Sequence, residues 1–79
     1  MDYLILSTEE IHGDFEVSLG RCRNQCYVHI YSRESRKHTH KVFTSMEKAL
    51  EVYQTLVKWM ALGLYSKGDR RKWLESQEG

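Results

Sequence analysis

The longest regular pattern of hydrophobic and polar residues covers residues 43–65 and predicts an α-helix. Thr44 and Glu47 have the spacing of a capping box, and Gly63 suits the left-handed residue that ends many helices. We therefore expect the helix to span residues 45–63. Its apolar side chains recur at the spacing of a single helix face: Met46, Ala49, Leu50, Tyr53, Leu56, Val57, Met60 and Leu64.

The first half of the chain has the shorter, alternating patterns that are typical of β-strands. Residues 15–19 and 26–31 alternate between apolar and polar side chains, and residues 39–43 are expected to form a third hairpin strand. Residues 3–6 are apolar on both faces, so this strand is expected either to be central in a sheet or to be flanked on one side by a partner. Phe43 is expected to point into the core, because it directly precedes the helix.

The alternation also predicts how two of these strands pair. Their apolar faces agree when Leu19 lies opposite Val28 and Val17 lies opposite Ile30. A slip of one residue would send the apolar set of one strand to the wrong face. The connecting loop is then expected to comprise residues 22–25.

These elements predict an α+β fold with a three- to four-stranded antiparallel meander sheet and one long helix packed on one face. The sheet is expected over roughly residues 2–43 and a short C-terminal helix, capped by Asp69, over roughly residues 69–76. The 79 residues suffice for a single domain, residues 1–79, with one thin core.

Composition adds that charge is distributed unevenly. The formal net charge is +1, yet residues 1–16 contain acidic and no basic side chains, whereas residues 17–41 contain six basic residues and Glu34 as their one acidic residue. One acidic and one basic surface are therefore expected. The chain begins without the basic start and long apolar segment of a signal peptide, so we expect a cytoplasmic protein with no membrane partner.

Cysteine and histidine residues raise the question of metal binding or catalysis. Cys22 and Cys26, with His38 and His40, include the donor types that zinc prefers. The expected register places the two cysteines on opposite sheet faces, which disfavours both a zinc site and a disulfide. A cysteine nucleophile paired with His29 would need a cleft that a thin sheet does not offer. We expect no metal, no cofactor and no enzymatic activity.

The face of the sheet away from the helix is the main candidate for function. Aromatic residues with interleaved basic residues on an open sheet can stack on bases while cations hold phosphates. The expected open face carries Tyr27, His29, Tyr31, His38 and His40, and the adjoining basic turn carries Arg33, Arg36, Lys37 and Lys41. The sequence thus predicts a small non-catalytic module that contacts nucleic acid.

Residues 26–54 have the order hairpin, basic turn, then Phe-Thr-x-x-Glu-x-Ala entering a helix. This order resembles the three-stranded-sheet-plus-helix DNA-binding domains of the AP2 and integrase arm-binding kind. The similarity covers about a third of the chain and lacks the Gly and Trp positions typical of AP2 domains. It implies a DNA-binding architecture and rests on Phe43, Thr44, Glu47, Ala49 and Tyr53.

Two alternatives use the same features differently. The basic turn also suits an acidic protein surface, which would make the chain a protein-interaction module, such as a small adaptor or inhibitor of the compact phage-borne type. The third interpretation is a homodimer joined through the open sheet faces or the edge strands.

Overall fold

The computed structural model describes residues 3–11, 13–63 and 67–77. They form one antiparallel sheet with strand order β1-β2-β3-β4, followed by two helices. This arrangement confirms the predicted α+β meander with one long helix and a short C-terminal helix. The elements are β1 (Tyr3–Ile11), β2 (Phe15–Cys22), β3 (Gln25–Ser32), β4 (Lys37–Phe43), α1 (Met46–Leu62) and α2 (Lys67–Ser76).

The predicted register between β2 and β3 is confirmed. Leu19 lies opposite Val28 and Val17 lies opposite Ile30. The connecting loop is shorter than predicted, because Cys22 and Gln25 are themselves a strand pair. The turn consists of two residues, and its first residue adopts a positive φ of 56°. Short polar turns of this kind close a hairpin without disturbing the register on either side.

The core lies between one face of the sheet and α1. Every second residue of the central strands faces the helix, and Phe43 of β4 is also fully buried there, as predicted. Ala49 and Leu56 of α1 cover this face. The fully buried side chains of the central strands include Val17, Val28 and Ile30.

The predicted apolar face of α1 is partly wrong. Met46 and Leu50 were expected in the core but are 36% and 40% exposed. Val52, which the predicted face omitted, is fully buried. The sheet covers only one side of the broad apolar stripe, and helical periodicity alone does not show which side that is. Leu64 lies outside the described residues.

The ends of α1 follow from local hydrogen bonding. Ser45, rather than Thr44, is the N-cap, since its hydroxyl accepts a hydrogen bond from the Lys48 N–H at 3.4 Å. Gly63 ends the helix with a φ of 69°, as predicted. α2 begins at Lys67, so Asp69 lies within its first turn and is not its cap.

Strand β1 differs most from its prediction. It extends to Ile11 and lies at the edge of the sheet, so the central placement is wrong. A register shift between Ile5 and Ser7 changes the alternation. Ser7 faces α1, where its Oγ lies 2.9 Å from the Tyr53 hydroxyl, whereas Ile5 lies beside Gly20 of β2. The shift explains why β1 has apolar side chains on both faces.

Helix α2 packs on α1 and on the β4 edge. The Trp73 ring meets Trp59 of α1 edge to face, with centroids 4.7 Å apart. Lys41 of β4 donates from Nζ to the backbone oxygen of Glu75 at 3.2 Å. None of the helices in the described part of the chain is long and apolar enough to cross a membrane.

Candidate functional site

The face of the sheet opposite α1, here called the open face, is organised in cross-strand rows. In one row His29 of β3 lies between Ser18 of β2 and His40 of β4. The strand register therefore brings together side chains from separate strands, as the alternation predicted. The next row contains Glu16, Tyr31 and His38.

Three of these side chains form a connected cluster, here called the histidine cluster: His29, Tyr31 and His38. His29 Nε2 and His38 Nδ1 lie 2.8 Å apart with ring planes inclined by 10°, so one imidazole donates its N–H to the other. The Tyr31 ring stacks on His38 with centroids 4.4 Å apart. The cluster thus presents paired aromatic surfaces whose orientation is fixed by a hydrogen bond.

Burial disfavours the charged form of His29, the inner member of the cluster. Desolvation lowers the pKa of His29 below its usual value, and the neighbouring imidazoles of His38 and His40 lower this pKa further, while Glu16 opposes them. The hydrogen bond between the two imidazoles also requires one unprotonated nitrogen.

Tyr27 lies on the predicted face but is not available as an exposed ring. It is only 5% exposed, because its ring lies flat over Gly20 of the neighbouring strand. A Cβ atom added at Gly20 would lie 2.0 Å from the Tyr27 Cζ. The Gly20–Tyr27 contact therefore makes part of the open face a small second core.

A shallow concavity of about 500 Å³ lies beside this contact, between β3 and β4. It joins the buried tyrosine to the histidines, and its floor is largely apolar. The lining residues are Cys22, Gln25, Cys26, Tyr27, His29, His38, His40 and Val42.

Arg33 is held by acidic residues from the other half of the sheet. Its guanidinium binds the Glu10 carboxylate, donates to the Gly13 backbone oxygen at 3.2 Å, and lies 3.8 Å from a carboxylate oxygen of Glu16. The charge of Arg33 is therefore offset by acidic residues of β1 and β2. Its contacts fix the β3–β4 turn against the β1–β2 turn.

Arg36 and Lys37 are exposed at the end of the same hairpin. Arg36 adopts a positive φ of 55°, which places it at the tip of the turn. Lys37 and Lys41 have the same parity as the buried Phe43, so they lie on the helix side of β4, and His38 and His40 lie on the open face. The predicted binding residues of β4 therefore lie on both sides of this edge strand, with the lysines on the helix side and the histidines on the open face.

The sequence prediction missed the contribution of α2. Arg71 donates from Nη2 to the Ser35 hydroxyl at 3.1 Å, and the neighbouring Lys72 is exposed. The helix thereby adds cations to the hairpin turn from a segment far away in sequence. The basic triplet at residues 70–72 was the sequence feature that could have indicated this contribution. No local pattern, however, shows which strand a short terminal helix contacts.

The cysteines lie as the predicted register requires. Cys22 pairs with Gln25, and Cys26 pairs with Arg21, so their side chains point to opposite faces. Both thiols are free, and Cys26 is buried. Across the residues that the structure describes, no group of three or more His, Cys, Asp or Glu side chains is placed to hold a metal ion.

Comparison of the chain with known protein families, with curated proteins and with solved structures found no match.

Proposed function

We propose that this chain is a non-catalytic nucleic-acid-binding module that works through the β3–β4 hairpin, α2 and the histidine cluster. The observation that carries the proposal is the contact of Arg71 with Ser35, because it joins α2 to the tip of the basic hairpin. This contact brings Arg71 and Lys72 of α2 close to Arg36 and Lys37 of the turn. These four residues are here called the basic edge.

The distribution of acidic residues supports the same assignment. Glu10 and Glu16 lie on the other half of the sheet, where Arg33 binds them. Acidic neighbours of the basic edge in the described chain include Asp14, Glu34 and Glu75, so its four cations still outnumber these three carboxylates. A local positive excess on a nearly neutral protein favours a polyanion at this edge without attracting one elsewhere.

The histidine cluster supplies the second element of the proposal. Tyr31 is partly exposed and His38 is exposed, and their stacked rings lie on the open face, where His38 directly follows Lys37 of the basic edge, which points to the other side of β4. Stacking on a flat sheet requires a base whose surface is accessible, so single-stranded nucleic acid is the preferred ligand class. The free thiols of Cys22 and Cys26 fit a reducing, cytoplasmic location for this activity.

The experiment compares two charge-matched double variants in binding a labelled single-stranded oligonucleotide at several salt concentrations. Arg36→Gln with Lys37→Gln removes two basic-edge cations, and the control, Lys48→Gln with Lys58→Gln, removes two from α1. Each lost phosphate contact flattens the slope of log binding constant against log salt by about 0.7 for a single strand. We expect weaker binding and a flatter slope for the first variant only.

Two results would overturn the proposal. One is the absence of binding to single- or double-stranded DNA or RNA by the unaltered protein at low salt. The other is an equal loss for the two double variants, which would mean that binding depends on net charge and not on the basic edge. In the first case the basic edge instead meets an acidic protein surface, as the protein-interaction alternative holds.

A further inference from the structure

Strand β1 leaves one side of its backbone unpaired by any strand of the described residues. Three consecutive large apolar side chains on this strand are exposed: Leu4 by 56%, Ile5 by 57% and Leu6 by 45%. Residues 3–8 carry no charge. An exposed, uncharged edge strand of this length is a template for pairing with another strand.

The opposite edge of the sheet is protected. Lys37 and Lys41 lie on the same face of β4. Helix α2 lies against this strand through the hydrogen bond from Lys41 to the backbone oxygen of Glu75. Charged side chains and a covering helix are two of the means by which proteins prevent edge pairing. β1 has a register shift at Leu6, within residues 3–8, and two glutamates at its far end, but the shift places no charge and no covering segment on these residues.

The apolar surface continues from β1 onto the neighbouring side of α1. The contact between Ser7 and the Tyr53 hydroxyl places this side of the helix beside β1. Leu50 and Met46 lie one and two turns before Tyr53 on the same side, which explains their exposure in the absence of a partner. Strand and helix thus expose apolar side chains along a single edge of the molecule.

We propose that this edge pairs with the β1 edge of a second copy, antiparallel and across a two-fold axis. Antiparallel pairing sets the uncharged residues 3–8 of the two copies against each other. Glu9 and Glu10 of the two copies then lie at opposite ends, whereas a parallel arrangement would place these like charges side by side. The two-fold axis is perpendicular to the sheet, so both copies of α1 lie on the same side.

A second copy also accounts for the exposed side of the helix. An extended peptide would pair with β1 but would bring no second layer to cover Met46 and Leu50. Pairing with a second copy forms an eight-stranded sheet with both helix layers on the same side. Because the two copies are related by a two-fold axis, each contributes the same surface to the interface. A second copy of the chain is therefore favoured over an extended peptide as the partner of the β1 edge.

The dimer would also join the two open faces into one. Seven strand spacings of about 4.8 Å separate the two β4 strands by about 34 Å, with a basic edge at each end. A single nucleic-acid strand long enough to reach both would bind more tightly through two linked contacts. This consequence rests on the proposed function, but the pairing of β1 does not.

The test is the mass of the protein alone in solution, measured by sedimentation equilibrium over a wide concentration range. We expect the unaltered chain to reach twice its mass of 9.4 kDa. Ile5→Lys places a charge on the β1 edge and should return the mass to that of one chain. The matched control, Val42→Lys, places the same charge on the β4 edge and should leave the dimer intact.

Circular dichroism checks that both variants fold, and hydrogen exchange supplies a second readout on the unaltered protein. The β1 amides should exchange more slowly as concentration rises, while those of β4 should not change. A single-chain mass at every concentration would overturn the proposal. So would a dimer that Val42→Lys disrupts and Ile5→Lys leaves intact, or one that neither variant affects.

Discussion

The two faces of the sheet are built from the same four strands but have different kinds of order. On the helix-covered face, alternate side chains such as Val17 and Val28 are fully buried, and packing fixes them. On the open face, order comes from pairwise contacts: the ring of Tyr27 over Gly20, and the hydrogen bond between His29 and His38. The first face stabilises the fold, and the second presents groups that can change partner or charge.

The difference shows how a small domain can carry a binding surface. Apolar packing on one face is enough to define the strand register, which then positions polar side chains on the other face without further apolar burial. The open face is therefore expected to tolerate substitutions that would unfold the protein if made on the covered face.

Truncation of the core side of α1 should have the largest effect. Leu56→Ala leaves a cavity under the helix and should lower the free energy of unfolding by about 2–5 kcal/mol. Glu51→Ala, on the solvent side, should change it by no more than about 0.5 kcal/mol. Urea unfolding followed by circular dichroism measures both. Equal stabilities of the two variants would show that the covered face is assigned wrongly.

The buried contact on the open face should give the next largest effect. Gly20→Ala pushes a methyl group into the Tyr27 ring and should cost about 1–3 kcal/mol, because the ring must leave its place. The same change made together with Tyr27→Ser should cost less than the sum of the two single changes. Additive losses in this double-mutant cycle of urea unfolding would contradict the contact.

Stacking by Tyr31 should affect binding without affecting the salt dependence. Tyr31→Ala should weaken the binding of a single-stranded oligonucleotide by about 1–3 kcal/mol per stacked base. Tyr31→Phe keeps the ring and should bind nearly as well as the unaltered protein. A loss shared by both variants would assign the effect to the hydroxyl group and not to stacking.

The pH dependence of stability should be the smallest effect. Because the pKa of His29 is lowered in the folded protein, the unfolded chain binds a proton first as the pH falls. Stability should therefore be complete above the ordinary histidine pKa and decrease as the pH falls through it toward the lowered value. His29→Gln should flatten this decrease in thermal unfolding curves recorded at several pH values. A decrease of the same size in His29→Gln would contradict the assignment.

Alternation and helical periodicity were enough to predict the fold class, the pairing of Leu19 with Val28 and the inward position of Phe43. These features depend on which residues are apolar, and burial of one face selects the register that satisfies them all. The exposure of Met46 and Leu50 was not predictable in this way. It depends on how far the sheet extends beneath the helix, and periodicity contains no information on that distance.

The candidate site was predicted in composition but not in arrangement. Side-chain parity correctly placed His29 and Tyr31 together on the open face. It did not show that Tyr27 is buried, since that follows from the absence of a side chain at Gly20 on another strand. The contributions of Arg71 and the neutralisation of Arg33 depend on contacts between distant segments, which local patterns do not specify.

The most direct test of the proposed function is a map of backbone amide shifts by NMR as a single-stranded oligonucleotide is added. We expect the largest shifts at residues 35–41 and 71–72 and around Tyr31, with little change on the solvent side of α1. Shifts confined to β1 and its edge, or no shifts at low salt, would contradict the claim that the basic edge and the histidine cluster form a nucleic-acid-binding surface.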